Sequence, residues 1–278
     1  MTIGELRADC RRACERGGLN PGDADLLIGD ALDRPLSFIL AHADDPVSEE
    51  CAGEVELLMQ RRLAREPLQY IRGRTEFYGR DFRVDERVLI PRPETELLVE
   101  EAVRVLPNGA RVLDVGTGSG CIAVTLSLER PDLHVLATDR SLGALAVART
   151  NCDALGARVR FIACDVFSAI AARLDAIASN PPYVPSGDLA GLAPEVRDHE
   201  PEMALTPGAW GLETIQRILE DAPRLLGAEG LIILEIGFSQ HEAVTELARQ
   251  FGRLAAFRDD YSAIPRIAVL SPLRPGGD

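Results

Sequence analysis

The 278-residue chain contains no lysine: all 30 basic residues are arginine, set against 44 Asp and Glu for a net charge of −14 at pH 7. Tight binding to a nucleic-acid backbone draws on a basic stripe that releases counterions, and none is evident, so no direct nucleic-acid partner is expected. Long apolar runs are also missing. None approaches the ~18 residues that a membrane-spanning helix requires, and Met1-Thr2-Ile3-Gly4-Glu5 lacks the basic-then-apolar pattern of a leader. The expectation is a soluble, cytoplasmic, monomeric protein with no membrane partner. Six cysteines (Cys10, Cys14, Cys51, Cys121, Cys152, Cys164) include no C-x-x-C pair, and four histidines do not cluster with them. The thiols read as reduced packing residues, with no metal site; Cys10 and Cys14 stand one helical turn apart but have no further ligand in sequence.

What the chain does have is 46% hydrophobic residues, enough for genuine cores, and two motifs that carry chemistry. Asn180-Pro181-Pro182-Tyr183 closes the apolar run Leu174 to Ala178. Read alone, Asn-Pro marks an ordinary strand-to-loop turn. Yet Asn180 offers a side-chain oxygen and Pro181 a backbone carbonyl, both acceptors, while the prolines fix φ and remove N–H donors. The Tyr183 ring can pack against a planar group. Such a turn suits methyl transfer to a planar nitrogen, whose delocalised lone pair attacks poorly unless its N–H groups are held.

The second motif, Asp114-Val115-Gly116-Thr117-Gly118-Ser119-Gly120, follows the apolar Arg111-Val112-Leu113 and opens the stretch Cys121 to Leu128, predicting strand, tight turn and helix. Glycines let backbone N–H groups approach a ligand. A dinucleotide fingerprint would need a glycine where Cys121 stands, which argues against a nicotinamide cofactor. Asp139 ends a second apolar run, Leu133 to Thr138, where a carboxylate can accept from both ribose hydroxyls of an adenosine-containing cofactor; a turn or helix-start role is the plainer alternative. Asp165, followed by Val166, ends the run Val159 to Cys164 and is in register to accept from an adenine amino group.

Helical periodicity covers residues 2 to 70, with a capping box at Thr2 and Glu5, Pro21 near a helix start and Ser48 as a cap. Arg11-Arg12 and Arg61-Arg62-Arg65 read as a solvated helix face with i,i+4 pairing, and offer docking points to an acidic partner. Alternation around Tyr78-Gly79-Arg80-Asp81 predicts a hairpin. Thereafter helical and extended patterns alternate, with strands near 110–114, 133–138, 158–163, 174–179 and 231–236, predicting a doubly wound parallel sheet. The polar stretch 184–209 is expected to form a loop over the substrate pocket. Expected boundaries are a helical substrate-docking domain at 1–71, a hairpin linker at 72–92 and a catalytic domain at 93–278.

With Leu89-Ile90-Pro91-Arg92-Pro93-Glu94-Thr95-Glu96, Glu76-Phe77-Tyr78 and Leu234-Glu235-Ile236-Gly237, these motifs make the chain resemble, over nearly its whole length, the bacterial peptide chain release factor glutamine methyltransferases (the PrmC/HemK-like family). The resemblance implies an α/β, Rossmann-like class I S-adenosylmethionine-dependent methyltransferase sheet with a small N-terminal helical domain. It implies S-adenosylmethionine bound by Gly116, Thr117, Gly118, Ser119, Gly120, Asp139, Asp165, Val166 and Asn180, and released as S-adenosylhomocysteine, with no metal. It implies a glutamine amide held by Asn180, Pro181, Pro182 and Tyr183, and class I release factors as the protein substrate. Some members carry tryptophan where this chain has Val166, so ring stacking on adenine does not transfer. A ribosomal-protein glutamine, or the exocyclic amine of adenine in DNA, are alternative targets that the turn alone does not separate.

Overall fold

Apolar residues three and four apart fold the first seventy residues into helices in the structure, a computed structural model that describes residues 1–273. They are α1 (Ile3–Arg16), α2 (Gly22–Leu32), α3 (Leu36–Ala41), α4 (Glu49–Leu63) and α5 (Leu68–Arg72). At α1 the Glu5 N–H donates to Thr2 Oγ1 (3.2 Å) and the Thr2 N–H to Glu5 Oε2 (2.8 Å), completing the expected capping box. Ser48 Oγ accepts from the Cys51 N–H at 3.2 Å and starts α4. One face of α1 buries Ile3, Leu6, Cys10 and Cys14 in a cluster with Leu27 and Ile28 of α2 and Val55 and Met59 of α4.

The arginines expected to form solvated i,i+4 pairs mostly tie helices together instead. Arg7 and Arg11 of α1 both reach Asp25 of α2, at 2.8 and 2.6 Å, and Arg62 of α4 meets Asp23 of α2 at 2.8 Å with both side chains buried. Arg62 and Arg65 also contact Glu195, at 3.4 and 3.2 Å. That carboxylate comes from a distant stretch: Met1–Arg74 and Ala193–His199 form one compact unit, and Thr75–Leu192 with the residues from Glu200 onward form the other. Helical periodicity could not show this, because the partners of a guanidinium are set by tertiary packing.

The second unit begins at Thr75, inside the hairpin of β1 (Arg74–Phe77) and β2 (Arg80–Arg83), which is turned by Tyr78 and Gly79, both at positive φ as a type I′ turn demands. Then follow α6 (Pro93–Val105), β3 (Arg111–Val115), α7 (Cys121–Glu129), β4 (His134–Asp139), α8 (Leu142–Leu155), β5 (Val159–Ala163) and β6 (Leu174–Ser179). The 184–209 stretch is not plain loop: it holds a 3-10 turn (Ser186–Gly191), α9 (Pro194–Arg197, packed with the helical unit) and α10 (Glu202–Leu205). Pro194 opens α9 and Pro201 precedes α10, positions where proline's missing N–H costs nothing. Last come α11 (Glu213–Leu225), β7 (Leu226–Glu235), α12 (His241–Gln250), β8 (Arg253–Asp259) and β9 (Pro265–Pro272).

Seven strands order as β5-β4-β3-β6-β7-β9-β8; the first five run parallel, and β9 and β8 join antiparallel. Parallel strands are buried on both faces, as the near-continuous apolar runs foretold. One face packs Leu98, Ala102, Ile122 and Leu126 with Phe77 and Phe82 of the hairpin; the other packs Ile215, Ile218, Leu219 and Val244 of α11 and α12. This is the expected α/β, doubly wound sheet of the class I methyltransferase type.

Candidate active site

Strand order converts sequence distance into proximity. Asp139 of β4 is in register with Ala163 of β5, Val115 of β3 with Thr138 of β4, and Asp114 of β3 with Ala178 of β6. The four segments that follow these strands, beginning near Asp165, Asp139, Gly116 and Asn180, therefore emerge side by side from the carboxyl edge of the sheet, where ligands bind in open parallel sheets. They line one cleft of about 1050 Å³, mouth included. Gly116, Thr117, Gly118, Ser119, Asp139, Asp165, Val166, Asn180, Pro181 and Pro182 all face it; Gly120 and Tyr183 are outside its lining.

The glycine turn is shaped by its neighbours. The Gly116 and Thr117 N–H groups both donate to the Thr138 carbonyl at 2.9 Å. Gly116 and Gly118 take positive φ (70° and 55°), and a Cβ on either would project into open space, so the backbone itself forms the cleft wall. Gly120 has a different role: a Cβ there would come within 3.1 Å of Ala148 Cβ, so its glycine lets α7 and α8 approach closely. Asp139 accepts from the Gly118 N–H (3.0 Å) and the Ser141 N–H (2.8 Å), one bond to each oxygen, which fixes the carboxylate and leaves each oxygen a further lone pair. Beneath the turn, Asp114 is fully buried and accepts the Thr117 hydroxyl proton at 2.6 Å; burial pushes its carboxyl up to about 7.

Asp165 is ion-paired with Arg217 of α11 at 2.7 Å, which holds its carboxyl below the usual range. Val166 beside it is buried with φ +50°, a strained conformation for a β-branched residue, and thus places an aliphatic wall, not a ring, on the cleft.

At the Asn-Pro-Pro-Tyr turn, Asn180 Nδ2 donates to Thr95 Oγ1 at 3.1 Å, and the Thr95 hydroxyl donates to Glu235 Oε2 at 2.6 Å. Thr95 and Glu235 are both buried, and burial pushes the Glu235 carboxyl up to about 7. The far side of the turn is held by Gln240, whose Nε2 donates to the carbonyls of Tyr183 and Gly211, each at 3.1 Å. Gly211 is obligatory here, because a Cβ would lie 2.5 Å from the Tyr183 carbonyl oxygen. The Tyr183 phenol is pushed up to about 12 by burial and so stays protonated. Over the cleft, Pro201, Met203 and Ala204 come from the 184–209 stretch, as expected of a covering segment, and Arg92 pairs with buried Glu200 at 2.5 Å.

The motifs singled out ten of the residues that line the cleft but not those that hold them in place. Thr95 and Glu235 lie inside the segments that carried the family resemblance, without an assigned role; Gln240 gave no local signal. Asn151 was equally silent. It is buried in α8, donates to the carbonyls of Ser119 (2.9 Å) and Arg83 (3.0 Å), and accepts from the Arg83 N–H (2.8 Å), tying the hairpin to the glycine turn.

The cleft fits an adenosyl cofactor on its own features. The wall at Gly116 and Gly118 has no side chains, Asp139 has acceptor capacity to spare, and Val88, Ile122 and Ala144 supply apolar surface between polar ends. Residues 5–73 match the family model described as the PrmC N-terminal domain and residues 93–192 that of the methyltransferase small domain. A release factor glutamine methyltransferase of Geobacter sulfurreducens is 40% identical over 247 residues, 88% of this chain and 87% of that protein. Its namesake from Bordetella pertussis is 45% identical over 256 residues, 90% and 94% of the two chains. In fold alone, a Pyrococcus furiosus methyltransferase crystal structure matches with a TM-score of 0.54 at 16% identity, over 79% of this chain and 97% of that one. The chain belongs to the release factor glutamine methyltransferase family, an S-adenosylmethionine-dependent enzyme family of the class I methyltransferase fold.

Proposed function

We propose that this protein transfers a methyl group from S-adenosylmethionine to the side-chain amide nitrogen of the glutamine in the Gly-Gly-Gln loop of class I peptide chain release factors, with S-adenosylhomocysteine as product. The observation that carries this reading is that Asn180 and Pro181 share a cleft with the glycine turn and Asp139. Bound there, the cofactor supplies an electrophilic methyl group on a sulfonium. Asp139 would accept the ribose hydroxyl protons, the Asp165–Val166 turn would meet the adenine, and the wall from Gly116 to Ser119 would accommodate the remainder; Gly120 shapes that wall from behind. The Asn180 carbonyl oxygen and the Pro181 carbonyl accept the two amide protons of the glutamine, which turns the nitrogen lone pair toward the methyl group for in-line attack. Pro182 keeps the turn rigid, and the neutral Tyr183 phenol supports it. The surplus proton leaves to solvent after transfer.

The helical unit, which contributes no residue to the cleft lining, is assigned the docking of the protein substrate, and the enzyme acts as a cytoplasmic monomer with no nucleic-acid partner. Among the described residues no helix is long and apolar enough to cross a membrane. The test is incubation with labelled cofactor and, separately, a class I release factor, its Gln→Ala variant, ribosomal proteins and duplex DNA. Label is expected on the intact factor alone. Label on DNA, or undiminished label on the Gln→Ala variant, would overturn the assignment.

A further inference from the structure

A carboxamide is nearly symmetric in shape but opposite in hydrogen-bonding sense at its two ends. Asn180 serves as an acceptor only if its oxygen, and not its NH2, faces the incoming amide. Nothing in the Asn-Pro-Pro-Tyr turn itself selects that orientation. The selection comes from behind. An ionised Glu235 carboxylate is an acceptor only, so in that state the single proton of the Thr95 hydroxyl, with Oγ1 2.6 Å from Glu235 Oε2, is committed to it. What Thr95 presents to Asn180 is therefore a lone pair, and only the NH2 end of Asn180 can meet it, at 3.1 Å.

Local structure gives Thr95 no other task. It sits in the first turn of α6, whose start carries no side-chain cap, and its own N–H donates to the Arg92 carbonyl. Its hydroxyl bonds run to Glu235 and Asn180.

We propose that Thr95 and Glu235 are positioning residues for methyl transfer: the ionised Glu235 carboxylate orients the Thr95 hydroxyl, which in turn locks the Asn180 side chain with its oxygen toward the substrate nitrogen. This rests on the functional reading above and extends it to two residues behind the Asn180 side chain: Thr95, which also lines the cleft, and Glu235, which does not. It also makes the lock reversible by protonation. Protonation of Glu235 at Oε2, the oxygen that Thr95 faces, turns that atom into a donor, so the Thr95 proton is released toward Asn180, whose oxygen turns to accept it and whose NH2 then faces the glutamine. Charges facing Glu235 are Arg266 from β9 and Arg92 and Glu94 from the start of α6, with Tyr183 and Cys121 as the other titratable groups nearby. Both cations are already engaged, Arg266 with Asp260 and Arg92 with Glu200. Burial dominates, holding the Glu235 carboxyl near 7, so turnover falls as the pH drops below about 7.

The experiment combines kinetics at saturating substrates with NMR of the Asn180 side-chain amide. In the wild type the Asn180 NH2 protons should exchange slowly with solvent, a readout that needs no substrate and stands even if the substrate assignment fails. Thr95→Val should release them, lower kcat ~10-fold or more and leave cofactor affinity within ~2-fold, whereas Thr95→Ser should restore most of the rate. Glu235→Gln, whose carbonyl oxygen accepts at every pH, should keep the slow exchange and lose the acid limb of the kcat profile. Freely exchanging Asn180 amide protons in the wild type would overturn the proposal without any variant. So would a kcat for Thr95→Val within ~2-fold of wild type, or an acid limb unchanged in Glu235→Gln.

Discussion

The Ser179 hydroxyl donates to the Val115 carbonyl at 2.7 Å, both residues buried, and so joins the last residues of two parallel strands that lie 64 positions apart in the chain. One residue further on, these strands become the glycine turn and the Asn-Pro-Pro-Tyr turn. The bond sets the two halves of the proposed reaction in register. Ser179→Ala would leave the Val115 carbonyl without this donor, at a cost of ~1–3 kcal/mol, and let the two turns shift relative to each other. Denaturant unfolding should show the loss, and kcat should fall with it; unchanged stability and turnover would show that the sheet alone keeps the register.

Asp139→Ala should weaken S-adenosylmethionine binding by at least ~10-fold, since hydrogen bonds to a charged group are worth about 1.5–3 kcal/mol. Calorimetric titration measures it directly. The variant also frees the Gly118 and Ser141 N–H groups that the carboxylate accepts, so the thermal stabilisation by cofactor should shrink in parallel.

Asn180→Ala should separate binding from chemistry. Cofactor affinity is expected to stay within a few-fold, while turnover at saturating substrate drops by ~10²-fold, the scale seen when one pre-organised transition-state contact is removed. Wild-type turnover would remove Asn180 from the acceptor role.

Buried Asp114 gives a pH signature with a definite sign. Its folded-state carboxyl is raised from 3.8 to about 7, so between those values the folded protein binds a proton that the unfolded chain does not. Its contribution to stability is complete below the unfolded value and is lost as pH rises toward 7. Asp114→Asn, neutral at all pH, should therefore match the wild type near pH 4 and gain on it by several degrees in melting temperature by pH 8, measured by thermal scans. An Asn variant that loses ground on raising the pH would contradict this.

In the helical unit, Arg62→Ala would strand Asp23, buried at 7% exposure, without the guanidinium that meets it at 2.8 Å. Breaking a buried pair by removing one partner costs about 3–5 kcal/mol, so the midpoint of denaturant unfolding should fall strongly. Arg12→Ala, whose ion pair with Asp9 is exposed, should fall by less than about 1 kcal/mol.

The elements most readable from sequence were those with strong local causes. The capping box at Thr2 and Glu5, the glycine turn and the apolar strands each appear where periodicity and residue type required them. Ten of the residues that line the cleft were also legible, because they stand in the glycine turn, the Asn-Pro-Pro-Tyr turn and the acidic strand ends, where residue type is restricted. What escaped was determined across space. Thr95 and Asn180 are 85 positions apart and Thr95 and Glu235 are 140 apart, and no local pattern links a threonine in a helix's first turn to an acid at a strand end. Likewise Gln240 and Asn151 act on backbone carbonyls, which any residue could supply. The inter-helix pairing of Arg11 and Arg62 was missed for the same reason: charge runs reveal that partners exist, while packing decides which.

The most direct test of the account is mass-spectrometric mapping of a class I release factor after reaction with S-adenosylmethionine and this enzyme, run beside Asn180→Ala. The account predicts one methyl group on the side-chain nitrogen of the Gly-Gly-Gln glutamine with the wild type, and almost none at the same time point with the variant. A methyl group at any other residue, or an equal yield from Asn180→Ala, would contradict it.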